Sequence, residues 1–365
     1  MSNEQEYVVI TVPFQPKAKV QRKAVFAAPV VAKTISCLIN CPYYLGLNRL
    51  HSYKQYSEEE IECFRKQFDF VRYDGVYFDS EVLDKLQMII DDQIANGDVT
   101  VEKCRVLKCA CGKVEIIADA VQSLHTFDWI VKTENGYQCA HCKSELLDTW
   151  EESLILHLHA KAIQTMPVRV YPEFYDSEMN HFRTALSDAR ILISKQRDTG
   201  AQCVVNGRTF NIDTDYVWQN LYCLYPQKNI ITILSNRHRY AVFIMNYLAH
   251  TVHKKQACFV VLPMLDLNKT VLDQLSTLSD EKTQKLFFLF AQKWSIKTVQ
   301  VPESIAKYLS KSFEKNAALY EAVVRPIEEF HDLDEEKQWA ILKKSLFNRT
   351  NMQLVIKQGS QKKSL

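Results

Sequence analysis

Four thiols stand in two close pairs in this chain: Cys109 and Cys111 in C-A-C-G-K, and Cys139 and Cys142 in Q-C-A-H-C-K. Thiolates are soft donors, and two tight turns that each present a pair of them can close a tetrahedral zinc site. The second pair has C-x-x-C spacing. The first is tighter, and Gly112 behind it lets the chain turn back under a metal. Cys104, His125 and His141 are spare donors, so Cys104 with one of the first pair is an alternative ligand set. A closed four-ligand site is structural, so function has to be read from the flanking sequence. The competing reading is four unrelated reduced thiols.

The chain has 365 residues, 47% of them apolar, enough for two or three compact units with a real core. A net charge of +2 gives no global field toward nucleic acid or membrane, although a local basic groove stays open. The N-terminus, M-S-N-E-Q-E, has no charged and apolar leader pattern, and apolar runs such as 257–265 are too short to span a bilayer. A cytoplasmic, reduced protein is expected, and there eleven cysteines favour zinc over disulfides.

The elements that must position these groups alternate. Tyr7–Val12 predicts a buried parallel strand and Val25–Leu38 a helix, with a strand-like piece over Ile39–Leu47. Ser57 opens a capping box for a helix to about Phe70, and Ser80 starts another that ends at Asn96-Gly97. Thr149–Ile163 reads as a helix, which puts His157 and His159 on different faces as surface or capping residues. A short helix over Asn180–Ser187 follows. Ile191–Ser194, Val204–Phe210, Ile230–Leu234 and Cys258–Leu262 predict strands, with a helix over Tyr240–Val252. The pattern from Ser279 to Phe347 is helical, with apolar faces that include Trp294, Ile305, Tyr308 and Phe313, and residues 358–365 form a polar tail. The expected fold is α/β: a split Rossmann-like parallel sheet interrupted by a zinc-knuckle insertion and closed by a short helical region. The corresponding division is 1–97 for the first half of the core, 98–165 for the insertion, 166–278 for the second half and 279–357 for the helical region.

Four stretches in this order resemble the catalytic core of class I aminoacyl-tRNA synthetases, nearest the methionine, leucine and valine subgroup. Y-V-V-I-T-V-P-F-Q-P-K-A-K-V-Q-R-K-A stands where that family has its first strand and HIGH signature. L-G-L-N-R-L-H-S-Y resembles the Gly-Thr-Asp segment, and N-G-D-V-T-V-E-K-C-R-V-L-K-C-A-C-G-K the approach to the zinc-bearing connective insertion. D-A-R-I-L-I-S-K-Q-R-D-T-G-A, followed by T-D-Y-V-W, resembles I-S-R-Q-x-x-W-G-I-P and V-W-F-D. The resemblance covers most of residues 1–275 and implies ATP, an amino acid and tRNA as ligands.

The departures fall on the groups that such chemistry needs. Amino-acid activation depends on positioned donors that stabilise charge building on phosphoryl oxygens. At the HIGH position this chain has Gln21, Arg22, Lys23 and Ala24. The aspartate of Gly-Thr-Asp is Asn48, and the ribose-holding Gly-x-Asp falls on Leu234-Ser235-Asn236. The KMSKS region keeps at most Lys269, and the tryptophan of W-G is Thr199 beside Gly200. Losing one such donor costs roughly 3 kcal/mol. The resemblance therefore implies a pseudo-synthetase that retains structural zinc, has lost ATP-dependent amino-acid activation, which leaves ATP itself a doubtful ligand, and binds tRNA, an aminoacyl group or a partner protein.

Candidate contacts are Lys17, Lys19, Arg22 and Lys23 in one basic loop, with Asn48, and Asn236, Arg237, His238 and Arg239 at the end of a strand. Arg190, Lys195 and Arg197 add charge, and each cluster has the competing reading of a solvated patch. A diverged but working ligase, with Arg22, Lys23 and Lys269 as replacement donors, is the alternative. A third reading is a thiol enzyme using Cys37, Cys41 or Cys203 with His51 or His238 as base. Buried cysteines are more often small hydrophobes, and no local motif supports it.

Overall fold

The computed structural model describes residues 7–16, 24–50, 56–120, 129–195, 201–226, 228–267, 270, 273–274, 277–291, 299–300 and 326–347. In chain order, the first half contains β1 (Tyr7–Thr11), α1 (Ala24–Leu38), β2 (Tyr43–Leu47), α2 (Glu58–Arg65), β3 (Gly75–Phe78) and α3 (Leu83–Ala95). Next come β4 (Val99–Lys108), β5 (Glu115–Ile117), the hairpin β6 (Ile130–Thr133) and β7 (Gly136–Cys139), β8 (Leu147–His157) and α4 (Ala160–Thr165). The chain returns through β9 (Arg169–Tyr171), α5 (Asp176–Ala185), β10 (Arg190–Leu192), β11 (Ala201–Val205), β12 (Arg208–Ile212) and α6 (Thr214–Gln219). It then runs through β13 (Asn229–Ser235), α7 (Arg239–Thr251), β14 (Ala257–Leu262), α8 (Asp280–Ala291) and α9 (Glu335–Phe347).

Six parallel strands form the central sheet in the order β3-β2-β1-β13-β14-β9. β1 and β14 are buried along their whole length, as strands covered on both faces must be. β1 therefore sits beside β13 from the far half of the chain, with Tyr7 opposite Asn229 and Thr11 opposite Ile233. The chain leaves the sheet after β3, returns to its far edge with β9, and re-enters beside β1 only with β13. That is the expected Rossmann-like architecture, and the four cysteines lie in the intervening segment.

A second, four-stranded antiparallel sheet in the order β10-β8-β4-β5 carries the first thiol pair in its β4–β5 turn, and the separate β6-β7 hairpin leads into the second. Arg190 on β10 crosses this sheet to pair with Glu102 on β4 and, at 2.5 Å, with Asp119 beyond β5. α9 docks at the edge where the parallel strands begin: Tyr7 donates to Gln338 Oε1 at 2.6 Å and Arg169 pairs with Glu335 at 3.3 Å. Ligand edges of such sheets lie at the other end. Among the described residues no helix is long and apolar enough to cross a membrane.

Several expectations need correction. Thr149–Ile163 is not a helix: residues 147–157 form β8, paired over ten residues with β4, and only Ala160–Thr165 is helical. Long-range pairing overrides local propensity there, and Leu154, Ile155 and Leu156 are buried on both faces. His157 instead ends a strand, 3.0 Å from Glu102, and His159 lies 3.1 Å from Asp98. The single strand expected over Val204–Phe210 is a hairpin, because Asn206 and Gly207 both take positive φ, the geometry of a type I′ turn. The helix expected from Asn180 starts at Asp176, and β2 starts only after Asn40, in the left-handed region, and Pro42. The Ser57 capping box is present, with Ser57 and Glu60 bonding reciprocally. In the C-terminal region the described helices are α8 and α9; residues 301–325 and 348–365 lie outside the described set.

Candidate metal centre and ligand edge

Two turns of the insertion present the four thiols. β4 ends at Lys108, and the chain reverses through Cys109–Val114, where Gly112 N–H donates to the Cys109 carbonyl at 3.0 Å and Gly112 takes φ +68°. β7 ends at Cys139, and Lys143 N–H closes that turn on the Cys139 carbonyl at 2.9 Å with φ +60°. Both turns need one residue in the left-handed region. Glycine adopts it freely and Lys143 does so at a cost. Ser144 joins the turns: its hydroxyl lies 3.0 Å from Cys142 Sγ and accepts from Ala110 N–H at 3.4 Å.

The sulfurs of Cys109, Cys111, Cys139 and Cys142 lie within 4.8 Å of one another. Cys109 and Cys111 are 3.2 Å apart, and Cys111 and Cys139 are 3.8 Å apart. Four ligands at the usual Zn–S length around a tetrahedron stand roughly 3.8 Å from each other. The donor set is therefore one that can hold a soft divalent metal. Val114 N–H points at Cys109 Sγ at 3.1 Å, a contact that favours a thiolate. The Ser144 hydroxyl, with its backbone N–H, draws the exposed Cys142 thiol down to about 6. Cys104 sits on β4 outside the group of four, His141 contacts Lys113 at 2.5 Å, and His125 lies outside the described residues.

The second candidate is the edge where the parallel strands end. β1 and β13 diverge there, at the point where strand order reverses, the usual ligand crevice of open α/β sheets. Lys17, Lys19, Gln21, Arg22, Lys23, His51, Arg197, Thr199, Gly200 and Lys269 lie outside the described residues, and Ala24 begins α1. Asn48 follows β2 and is buried, and its amide donates to Asp79 Oδ2 at 2.6 Å. Asp79 Oδ1 also accepts from Arg49 N–H at 2.6 Å and Leu50 N–H at 3.1 Å. Burial pushes the Asp79 carboxyl up, against the pull of those donors. Sequence reasoning missed Asp79, which lies 31 residues from Asn48 with no local pattern linking them.

Beyond β13, Asn236 is buried and Arg237 is exposed. His238 Nδ1 lies 3.0 Å from Ser235 Oγ, and the ring meets Trp218 edge-on at 6.1 Å. Trp218 in turn donates to Asp215 at 3.0 Å. Arg239 pairs with Glu178 at 2.8 Å, Lys195 with Asp213, and Arg190 with Glu102 and Asp119. Of the described cations proposed for this edge, Arg237 alone carries no ion pair. Cys203 is buried on β11 with its thiol pushed up to about 11, and Cys41 is pushed up to about 12, both chiefly by burial. Thiols held neutral are poor nucleophiles.

His238 and His253 are both held at about 4, mainly by burial and secondarily by the adjacent Arg237 and Lys255. A base whose folded value is depressed stabilises the fold above its unfolded value and loses that contribution as pH falls toward the folded one. Denaturant midpoints are thus expected to fall between pH 6.5 and 4. His253→Gln should flatten that slope, and an unchanged slope would show that the ring is not held neutral.

No family's sequence profile matches this chain, and no curated protein matches it. Solved structures do. Methionyl-tRNA synthetase from Mycobacterium tuberculosis bound by methionyl-adenylate superposes with a TM-score of 0.63 at 11% identity, over 87% of this chain and 71% of that one. A second structure of that enzyme with methionyl-adenylate gives 0.64 at 10% identity, over 85% and 69%. A leucyl-tRNA synthetase from Agrobacterium radiobacter K84, in a ternary complex with tRNA, gives 0.55 at 7% identity, over 87% and 72%. The fold is that of a class I aminoacyl-tRNA synthetase core. At these identities the likeness is one of architecture, and chemistry has to be argued from this chain's own side chains.

Proposed function

We propose that this chain is a pseudo-synthetase: a class I synthetase core, divided as 1–97, 98–165, 166–278 and 279–357, that no longer activates an amino acid with ATP. It acts by binding tRNA, an aminoacyl group or a partner protein, and zinc on Cys109, Cys111, Cys139 and Cys142 holds the insertion in shape. The observation that carries this reading is how the ligand edge uses its polar groups. The Asn48 amide is spent on Asp79, Arg239 on Glu178 and Lys195 on Asp213. His238 is a half-buried ring held neutral against Ser235. Phosphoryl transfer needs several unspent donors aimed at one point. The sequence supplies Gln21, Arg22, Lys23 and Ala24 where the family has HIGH, and at most Lys269 for KMSKS.

Arg237, with Arg22 and Lys23, remains suited to an anionic ligand. Binding to bulk tRNA should then weaken steeply between low and high salt. Arg237→Ala should reduce the slope of log affinity against log salt by about one.

The deciding experiment is pyrophosphate exchange assayed against all twenty amino acids, with thermal shift by ATP, each amino acid and tRNA in parallel. A ligand of the folded state raises the melting temperature by mass action. No exchange, with a shift by tRNA or an aminoacyl compound, is the expected result. Exchange with one amino acid would overturn the proposal in favour of a diverged ligase.

A further inference from the structure

Beside the thiol turns lies a buried charged group to which the metal reading gives no role. Lys108 ends β4 and immediately precedes Cys109. Glu115 opens β5 directly opposite Lys108 in the strand register, and Glu151 comes from β8, the strand that follows the second thiol pair. Lys108 Nζ is 3.3 Å from Glu115 Oε1 and 2.8 Å from Glu151 Oε2. The two carboxylate side chains are only 5% and 6% exposed, and Glu151 Oε1 is buried with no hydrogen-bond partner.

Two buried carboxylates against one ammonium is a poor way to stabilise a sheet. Apolar residues of similar volume do as well or better, and a half-satisfied polar network is worse than none. The placement gives the group another use. Lys108 and Glu115 are the two ends of the turn that holds Cys109 and Cys111, so their pair pins the mouth of that turn. Glu151 ties the same point to β8, whose approach passes through Ser144, the residue that contacts Cys142 and Ala110.

We propose that Lys108, Glu115 and Glu151 are positioning residues for the metal centre: together they hold the first thiol turn in fixed relation to the second, and so slow the metal's departure. This rests on the reading of the four cysteines as a metal site. Supporting residues of this kind typically alter metal affinity 10- to 100-fold when removed.

The test uses the full chain loaded with zinc, and reads zinc transfer to a chromogenic chelator. Lys108→Met should release zinc 10- to 100-fold faster, while the cobalt-substituted protein keeps the charge-transfer bands of four sulfur ligands. Lys108→Arg should release at close to the native rate. The triple variant Lys108→Met with Glu115→Gln and Glu151→Gln removes both carboxylate charges left without their ammonium, so it should recover the melting temperature but not the slow release. A role in fold stability alone would not produce that split. Should Lys108→Met fail to fold, the triple variant gives the same reading. If the native chain binds no metal, the reading of the cysteines is what fails. If it holds one zinc and both variants release it at the native rate, the positioning proposal is overturned.

Discussion

Replacing Cys139 with serine is expected to abolish stoichiometric zinc and to unravel the insertion around it. Cys139 is fully buried at the end of β7, and its backbone closes the second thiol turn. Structural zinc sites contribute apparent binding free energies of about 10–16 kcal/mol near neutral pH, and that energy is folding energy for the elements that carry the ligands. Those elements here are short: β5 has three residues and β6 and β7 four each. Such strands cannot persist on backbone pairing alone. Elemental analysis should find one zinc per native chain and none in the variant. Hydrogen exchange should rise sharply across residues 105–120 and 129–147 while the parallel sheet stays protected. Cys104→Ser is the control and should keep its metal, because Cys104 stands outside the group of four. A metal-free native protein with a fully protected insertion would refute the zinc reading. Thiol protonation competes with metal, so affinity should fall as pH drops.

What the sequence showed and what it hid separate along one physical line. The parallel strands were legible because each is a continuous apolar run buried on both faces, as in Tyr7–Thr11 and Ala257–Leu262. The two thiol pairs were legible because ligand spacing is local. β8 was not, since its pairing with β4 joins residues about fifty positions apart and no local pattern marks it. The hairpin at Asn206-Gly207 was missed although its turn signal was present in the sequence. At the ligand edge, Gln21–Ala24 and Asn48 stand out through the resemblance and Arg237–Arg239 through their place at the end of a strand-like run. Their partners Asp79, Glu178 and Asp213 come from other elements, and only the folded chain brings them together. The same gap explains the basic cluster: a count of cations gives the charge available, and packing decides how much of it is already neutralised.

Gly46→Ala should destabilise the core by about 3 kcal/mol, near the upper end for overpacking. Gly46 lies on β2 between β1 and β3, near the strand ends where the ligand edge begins. Tyr77 reaches across from β3 over this glycine and donates its hydroxyl to the Thr11 carbonyl at 2.6 Å, while Gly46 N–H donates to Thr11 Oγ1 at 3.0 Å. A Cβ at position 46 would stand 2.6 Å from the Thr11 carbonyl oxygen and 2.7 Å from the Tyr77 hydroxyl. The first is backbone in a buried strand and cannot give way cheaply, and the second belongs to a wholly buried ring. The requirement is thus for space rather than for a left-handed φ. Tyr77→Phe alone removes one hydrogen bond and should cost about 1 kcal/mol. It should not rescue Gly46→Ala, because the contact with the Thr11 carbonyl remains. The check is urea denaturation of the three variants against the native chain. A Gly46→Ala protein within about 0.5 kcal/mol of native would show that neither the Thr11 carbonyl nor the Tyr77 hydroxyl stands where the new Cβ must go. In that case the space above Gly46 would be open where the Tyr77 phenol now fills it.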